Sequence, residues 1–223
     1  MYQFFSAIIT KNETIWDYYT DSYEILIQKA NLNDSSINPD FVRVELLPQD
    51  QNIFNFDLDN WKLNIDQDFK PDWFAEKFVE EEMKNVIKKV WEKVFIVNKN
   101  IKELKDCNIR YIVNSKIKQI INSKVGELRD NSQVGALRGN SQVGELWGNS
   151  QVGELRDNSQ VGALRDNSQV GALWDNSKVG VLRDNSQVGE LRDNSKIGEL
   201  RDNSQVGELW GNSKVENSRI IAR

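Results

Sequence analysis

The chain has 223 residues, no histidine, a single cysteine (Cys107) and a formal net charge of −5. Without imidazole it lacks the commonest general base, zinc ligand and pH switch, and one thiol allows neither an internal disulfide nor a cysteine metal cluster. The negative balance gives no global basic field for nucleic acid or an anionic membrane, no apolar run reaches the roughly 18–20 residues of a membrane span, and the apolar start, Met1 to Ile9, has no basic flank, so a cytoplasmic protein is expected.

The first 100 residues are rich in aromatic and acidic groups and predict a small α+β head or capping domain of order β-α-β-β-α. Tyr2 to Ile9 predicts a buried strand. Asp21 with Glu24 predicts a capping box that opens a short helix to about Asn31, with Tyr23, Leu26, Ile27 and Ala30 inward. Phe41 to Leu47 predicts a strand stopped by Pro48, and the alternation of Trp61, Leu63 and Ile65 predicts another. Pro71 announces a helix over about 72–94, with Ala75, Val79, Met83, Val86, Val90 and Val94 as its core stripe. Glutamates early and lysines late in that helix suit its dipole.

From 101 onward the chain repeats. Three octapeptides begin at Ile101, Ile109 and Ile117, and nonapeptides of the type VGELRDNSQ then run from Val125 to about Lys214. Residues 215–223 break the pattern and predict an irregular C-terminal cap around Ile220 and Ile221. A nine-residue period carrying glycine and asparagine suits neither a coiled coil nor a helical repeat. Its apolar positions never drift in phase, which argues against a disordered polar tract.

The expected fold class is therefore the α+β head followed by an all-β solenoid of stacked coils, about 18 residues or two nonapeptides per coil. Ser132 and Val134 face inward with Gln133 outward, because side chains alternate along a strand. Each nonapeptide is expected to supply two short strand segments and two corners, one at Gly126 and its equivalents and one at Asp-Asn, where asparagine takes left-handed geometry. Asparagine and serine columns are expected to form ladders, and Cys107, standing where later repeats carry serine, is expected to pack inward.

The fifth position of the nonapeptide is only ever Arg or Trp: Arg129, Arg138, Trp147, Arg156, Arg165, Trp174, Arg183, Arg192, Arg201 and Trp210. Both side chains are flat and stack on each other. With 18 residues per coil, Trp147 falls between Arg129 and Arg165, Trp174 between Arg156 and Arg192, and Trp210 beside Arg192. The third position is mostly glutamate, a charge partner for the arginine. Such a column reads either as a solvated, self-compensating ladder or as a contact surface for an extended partner.

No phosphate-binding glycine loop, nucleophile elbow or metal motif occurs, and the repeat lacks the paired glycines and spaced aspartates of calcium-binding nonapeptides. Neither a cofactor nor an enzymatic activity is expected. Near-identical repeats supply the same groups everywhere, whereas catalysis needs different residues converging on one point. The segments FVRVELLP at 41–48 and WKLNIDQDFKPDWF at 61–74, followed by phase-locked repeats ending in NSQ or NSK, resemble a group of bacterial and phage proteins of unknown function with a small N-terminal domain and short tandem repeats. That resemblance implies no activity and no site residues.

The reading that follows is a non-enzymatic structural or protein-interaction scaffold, with the Arg and Trp positions above as candidate contact residues and a protein as partner. Two alternatives stand beside it. The head is a ligand-binding or enzymatic domain, centred on Asp57, Asp59, Asp66, Asp68 and Asp72, with the solenoid as spacer; or the rod self-associates, end to end or side by side.

Overall fold

The computed structural model describes residues 5–17, 20–34 and 39–219. The chain divides into two compact units, 1–92 and 93–223. Among the described residues no helix is long and apolar enough to cross a membrane.

The first unit is built on an antiparallel sheet of order β2-β1-β3-β4. Its strands are β1 (Phe5–Thr10), β2 (Thr14–Ile15), β3 (Phe41–Pro48) and β4 (Trp61–Ile65). Strand β1 is paired along both edges, and its residues Phe5 to Ile9 are all buried, so both of its faces are covered; residues 2–4 of the predicted strand lie outside the described residues. Strand β2 pairs with it through Ile8–Ile15 and Ile9–Thr14, and at two residues it is too short to show a period in the sequence.

Helix α1 (Tyr23–Lys29) is capped by Ser22 rather than Asp21: the Ser22 hydroxyl accepts from the Ile25 N–H and donates to Glu24. Helix α2 (Glu76–Val94) starts later than Pro71 suggests, which leaves Ala75 exposed ahead of it. Its buried stripe is Val79, Met83, Ile87, Val90 and Val94, with Ile87 taking the place expected for Val86. Trp91 on this helix stacks on Phe56 and meets Trp61 edge-on, at 4.6 and 6.2 Å between ring centres.

The second unit is a β-solenoid. Among its described residues fifteen strands run from β5 (Phe95–Val97) to β19 (Lys214–Arg219). Odd-numbered strands form an eight-stranded sheet and even-numbered strands a seven-stranded one, all parallel. Val134 pairs with Val152 and Leu137 with Leu155, so one coil is 18 residues; in the octapeptide lead-in Ile101 pairs with Ile117 and one coil is 16. The stack opens with β5, ahead of the first octapeptide at Ile101. The expected cap at Ile220 and Ile221 lies outside the described residues.

Each nonapeptide supplies one strand and one corner, not two of each. The strand places valine and leucine inward although they are three residues apart, which a regular pleat does not allow. The glycine between them resolves this. Pairing skips Gly135 and Gly153, so the strand kinks there and turns the leucine back to the core. Glycine thus sits in mid-strand instead of at a corner. A Cβ at Gly153 would lie 2.4 Å from the carbonyl oxygen of Gly135 in the neighbouring coil. The core is an unbroken file of these valines and leucines; Val152 and Leu155 are 1% and 0% exposed.

The corner is a four-residue turn. The Ser159 N–H donates to the Arg156 carbonyl, and every following repeat to Ser213 copies that bond. The left-handed residue is the one before asparagine: Asp157, Asp166, Asp175, Asp184, Asp193 and Asp202 have φ between 55° and 59°, and Gly139, Gly148 and Gly211 fill the same place. Each aspartate also reaches across coils. One carboxylate oxygen of Asp175 accepts the Asp157 N–H at 3.0 Å, and one of Asp184 accepts that of Asp166 at 3.1 Å.

Behind the turn the asparagine amides form a ladder, Asn149 to Asn131 and Asn167 to Asn149, and the serines are buried. The hydroxyls of Ser132, Ser141, Ser150 and Ser159 donate to the carbonyl three residues earlier. Cys107 packs half-buried against the core, and its N–H donates to the Ser123 hydroxyl.

These constraints give a stability test. Gly153→Ala is expected to cost about 1–3 kcal/mol, because the added methyl meets backbone that has nowhere to go. Asp175→Val, a β-branched residue at left-handed φ, is expected to cost about 1–2 kcal/mol, and Asp175→Asn distinctly less. Urea unfolding midpoints at constant m-value measure all three.

Candidate interaction surface

The fifth position of each nonapeptide follows the last inward leucine and points out of the sheet. On the eight-stranded sheet the column is Arg129, Trp147, Arg165, Arg183, Arg201; on the seven-stranded sheet it is Arg138, Arg156, Trp174, Arg192, Trp210. The guanidinium carbons of Arg129 and Arg165 lie 5.7 and 4.6 Å from the Trp147 ring centre, one on either side in the column. Those of Arg156 and Arg192 lie 5.5 and 4.6 Å from the Trp174 ring. Each ring is thus held in a cation–π sandwich.

Trp210 differs. It is 55% exposed, and its indole N–H donates to Glu208 at 3.0 Å. Its coil is the last complete one described, and the leucine before it, Leu209, is 48% exposed where the equivalent Leu191 is 0%.

Charge is balanced within the column. Arg129 pairs with Glu127, Arg156 with Glu154, Arg192 with Glu190 and Arg201 with Glu199, each two residues away and each at 2.6 Å. Arg165 has Ala163 in its own repeat and instead reaches back one coil to grip both oxygens of Glu145, at 3.0 and 3.1 Å. That grip leaves the Trp147 indole N–H buried without a hydrogen-bond partner; Trp174, with Ala172 two residues before it, is in the same state. The hydrogen bond from Arg156 holds the Glu154 carboxyl below the usual carboxylate range. A depressed folded value means the pair's contribution is present above the unfolded pKa and is lost only as pH falls through the lower folded one.

Arg138 and Arg183 stand apart: alanine (Ala136) and valine (Val181) replace the glutamate in their repeats, and neither arginine has an ion pair among the described residues.

The stack is longer than the repeat pattern indicates. Phe95 and Tyr111 are parallel, with ring centres 5.5 Å apart, and Arg129 lies 5.5 Å over Tyr111. Phe95, Tyr111, Arg129, Trp147 and Arg165 therefore form one continuous column of flat groups. Phe95 precedes the repeats and Tyr111 occupies the glutamate position of an octapeptide; an aromatic ring in a column otherwise charged was the available signal.

In the first unit the acidic segment does not converge. Asp59, Asp66, Asp68 and Asp72 are exposed, and among the described residues no group of three or more acidic or cysteine side chains is placed to hold a metal ion. Asp57 lines one hollow with Asp50, whereas Asp66 and Asp68 line another of about 580 Å³ that also holds Asp34 and Arg43. Arg43 donates to both Asp34 oxygens at 2.6 Å and lies over the Phe41 ring. Gln67 fixes the rim: it accepts from the Arg43 N–H and donates to the Phe41 and Phe69 carbonyls. Nearby, burial and then the negative charges of Glu45 and Asp66 push the Tyr23 phenol up, which keeps it neutral.

No family model matches the chain, and neither a curated protein nor a solved structure shows significant similarity to it.

Trp147→Ala and Trp174→Ala are each expected to cost about 1–2 kcal/mol, two cation–π contacts plus ring packing, while Trp210→Ala stays within about 0.5 kcal/mol. Urea unfolding of the three single variants separates sandwiched from unsandwiched rings.

Proposed function

We propose that the protein is a non-enzymatic scaffold whose solenoid offers its outward Arg and Trp columns to a protein partner. The observation that carries this reading is the pair of sandwiched rings. Trp147 and Trp174 are fixed by guanidiniums on both sides before any partner arrives, so a partner gains aromatic contact area with little further loss of side-chain freedom. Arg138 and Arg183, which have no glutamate in their repeats, favour carboxylates on the partner's side. Repetition supports a multivalent surface in which weak identical contacts add along the stack. A bacterial or phage origin and a cytoplasmic setting belong to the same reading; the first rests on the segments at 41–48 and 61–74 with the repeats that follow, the second on the lack of any apolar run of membrane-span length.

One observation favours a second reading, a ligand-binding first unit. The hollow around Arg43 sets Asp34, Asp66 and Asp68 against one arginine that Asp34 already pairs, a net negative site suited to a small cationic molecule. In that case the solenoid is a spacer.

Affinity capture with the full chain tests the scaffold reading. The Trp147→Ala/Trp174→Ala/Trp210→Ala variant, with its β-type circular dichroism intact, is expected to lose the proteins that the natural chain retains. A folded triple variant that retains the same proteins overturns the assignment of these columns as the contact surface.

A further inference from the structure

The chain is acidic as a whole, yet between Lys93 and Lys124 it carries eight Lys or Arg against two Asp or Glu. Three of these cations come together on the outer face of the seven-stranded sheet. In the lead-in coils Lys102 and Lys118 stand at the repeat position that later coils fill with Gly135, Gly153 and Gly171. Lys116 follows Asn100 in the column that continues as Gln133, Gln151 and Gln169. Together these residues line a shallow groove of about 640 Å³ that crosses the strands, basic at one end and edged by amides along the rest. No carboxylate lines it. Lys102, Lys116 and Lys118 are exposed and have no ion pair among the described residues.

We infer that this groove binds an extended acidic polysaccharide. The inference is independent of the Arg and Trp columns, which occupy a different repeat position. Three features select the ligand class. All charged groups in the groove are cations, so the ligand is anionic. The amides recur once per strand, at about 4.8 Å, and a surface with that translation is matched along its length only by a ligand that repeats at a similar interval. A chain of sugar rings does so, whereas an extended peptide presents side chains to one face only every ~6.7 Å. Finally, no aromatic ring lines the groove, and rings are the platform on which unpaired nucleic-acid bases are held. Hydroxyls and ring oxygens meet the glutamine amides, carboxylates meet the lysines, and the missing side chains at Gly135, Gly153 and Gly171 let the polymer lie close to the sheet.

Titration calorimetry on the full chain tests this, with polygalacturonate as probe, dextran as the neutral polymer and an oligo-dT strand as the competing polyanion. Lys102→Gln/Lys116→Gln/Lys118→Gln removes the charge; glutamine already occupies the Lys116 position in later coils, so the fold tolerates it there. Gln151→Ala/Gln169→Ala removes amides without changing charge. Polygalacturonate is expected to bind and to weaken as ionic strength rises toward about 0.15 M. Affinity is expected to fall at least about tenfold in the lysine variant and about threefold in the glutamine variant, each with an unchanged melting midpoint. Dextran is expected not to bind measurably. Absence of polygalacturonate binding overturns the inference, as does unchanged affinity in either folded variant. Oligo-dT binding as tight as polygalacturonate replaces the polysaccharide with a nucleic acid.

Discussion

Between neighbouring coils of the solenoid there is room for a backbone and nothing more at the second position of the nonapeptide. A Cβ there would come within 2.4–2.6 Å of the carbonyl oxygen one coil away, at Gly135 through Gly207 alike. That contact distance fixes much of what surrounds it. The kink at glycine lets an inward valine and an inward leucine stand three residues apart, with the glycine and one further residue between them in a five- or six-residue strand. A strand this short needs only one tight corner before it reverses, and two strands with two corners close a coil in 18 residues. Narrow coils enclose just two files of aliphatic side chains per sheet, and with so thin a core every coil must be nearly identical to its neighbours.

The corner solves the other half of the problem. A left-handed residue is needed at every turn, and a column of aspartates one strand spacing apart would by itself be repulsive. From Asp157 to Asp202 each carboxylate instead accepts a backbone N–H from the adjacent coil, so the side chain that tolerates the backbone angle also ties the coils together. Buried serine closes the turn from behind. Rigid corners in turn hold the residue just before them, and that residue is the outward Arg or Trp. The cation–π sandwiches are thus a result of coil spacing: about 4.8 Å between strands is close to the separation at which flat groups stack.

Much of this was legible in the sequence. The two-repeat coil followed from the length needed to enclose a core, and the positions of Trp147 and Trp174 between their arginines followed from that coil. The division of labour inside the repeat was harder to read. Glycine suggested a corner because turns are its commonest use, yet its purpose here is close approach between coils, which only the neighbouring coil reveals. The left-handed residue could have been found: Asp gives way only to Gly at 139, 148 and 211 and to Asn at 114 and 122, the residues that accept that geometry. In the first unit, the start of α2 and the choice of Ile87 over Val86 depend on what the helix packs against, which periodicity alone does not contain. The acidic segment looked like one cluster in the sequence; β4 separates Asp57 from Asp66 and Asp68, which line different hollows, and Asp59 and Asp72 line neither.

One nonapeptide is half a coil. Inserting or deleting a single repeat would leave every corner, glycine contact and core file satisfied, because all repeats obey the same rules. It would nevertheless carry every later residue across to the opposite sheet. Trp174 would enter the column of Trp147, the lone Arg183 would change sides, and the acid–base pattern of both faces would be rewritten downstream of the change. A shift by two repeats would lengthen or shorten the stack and leave both faces as they were. The backbone therefore counts in single repeats and the surface in pairs, so the parity of the repeat number, more than the number itself, decides which side chains are neighbours.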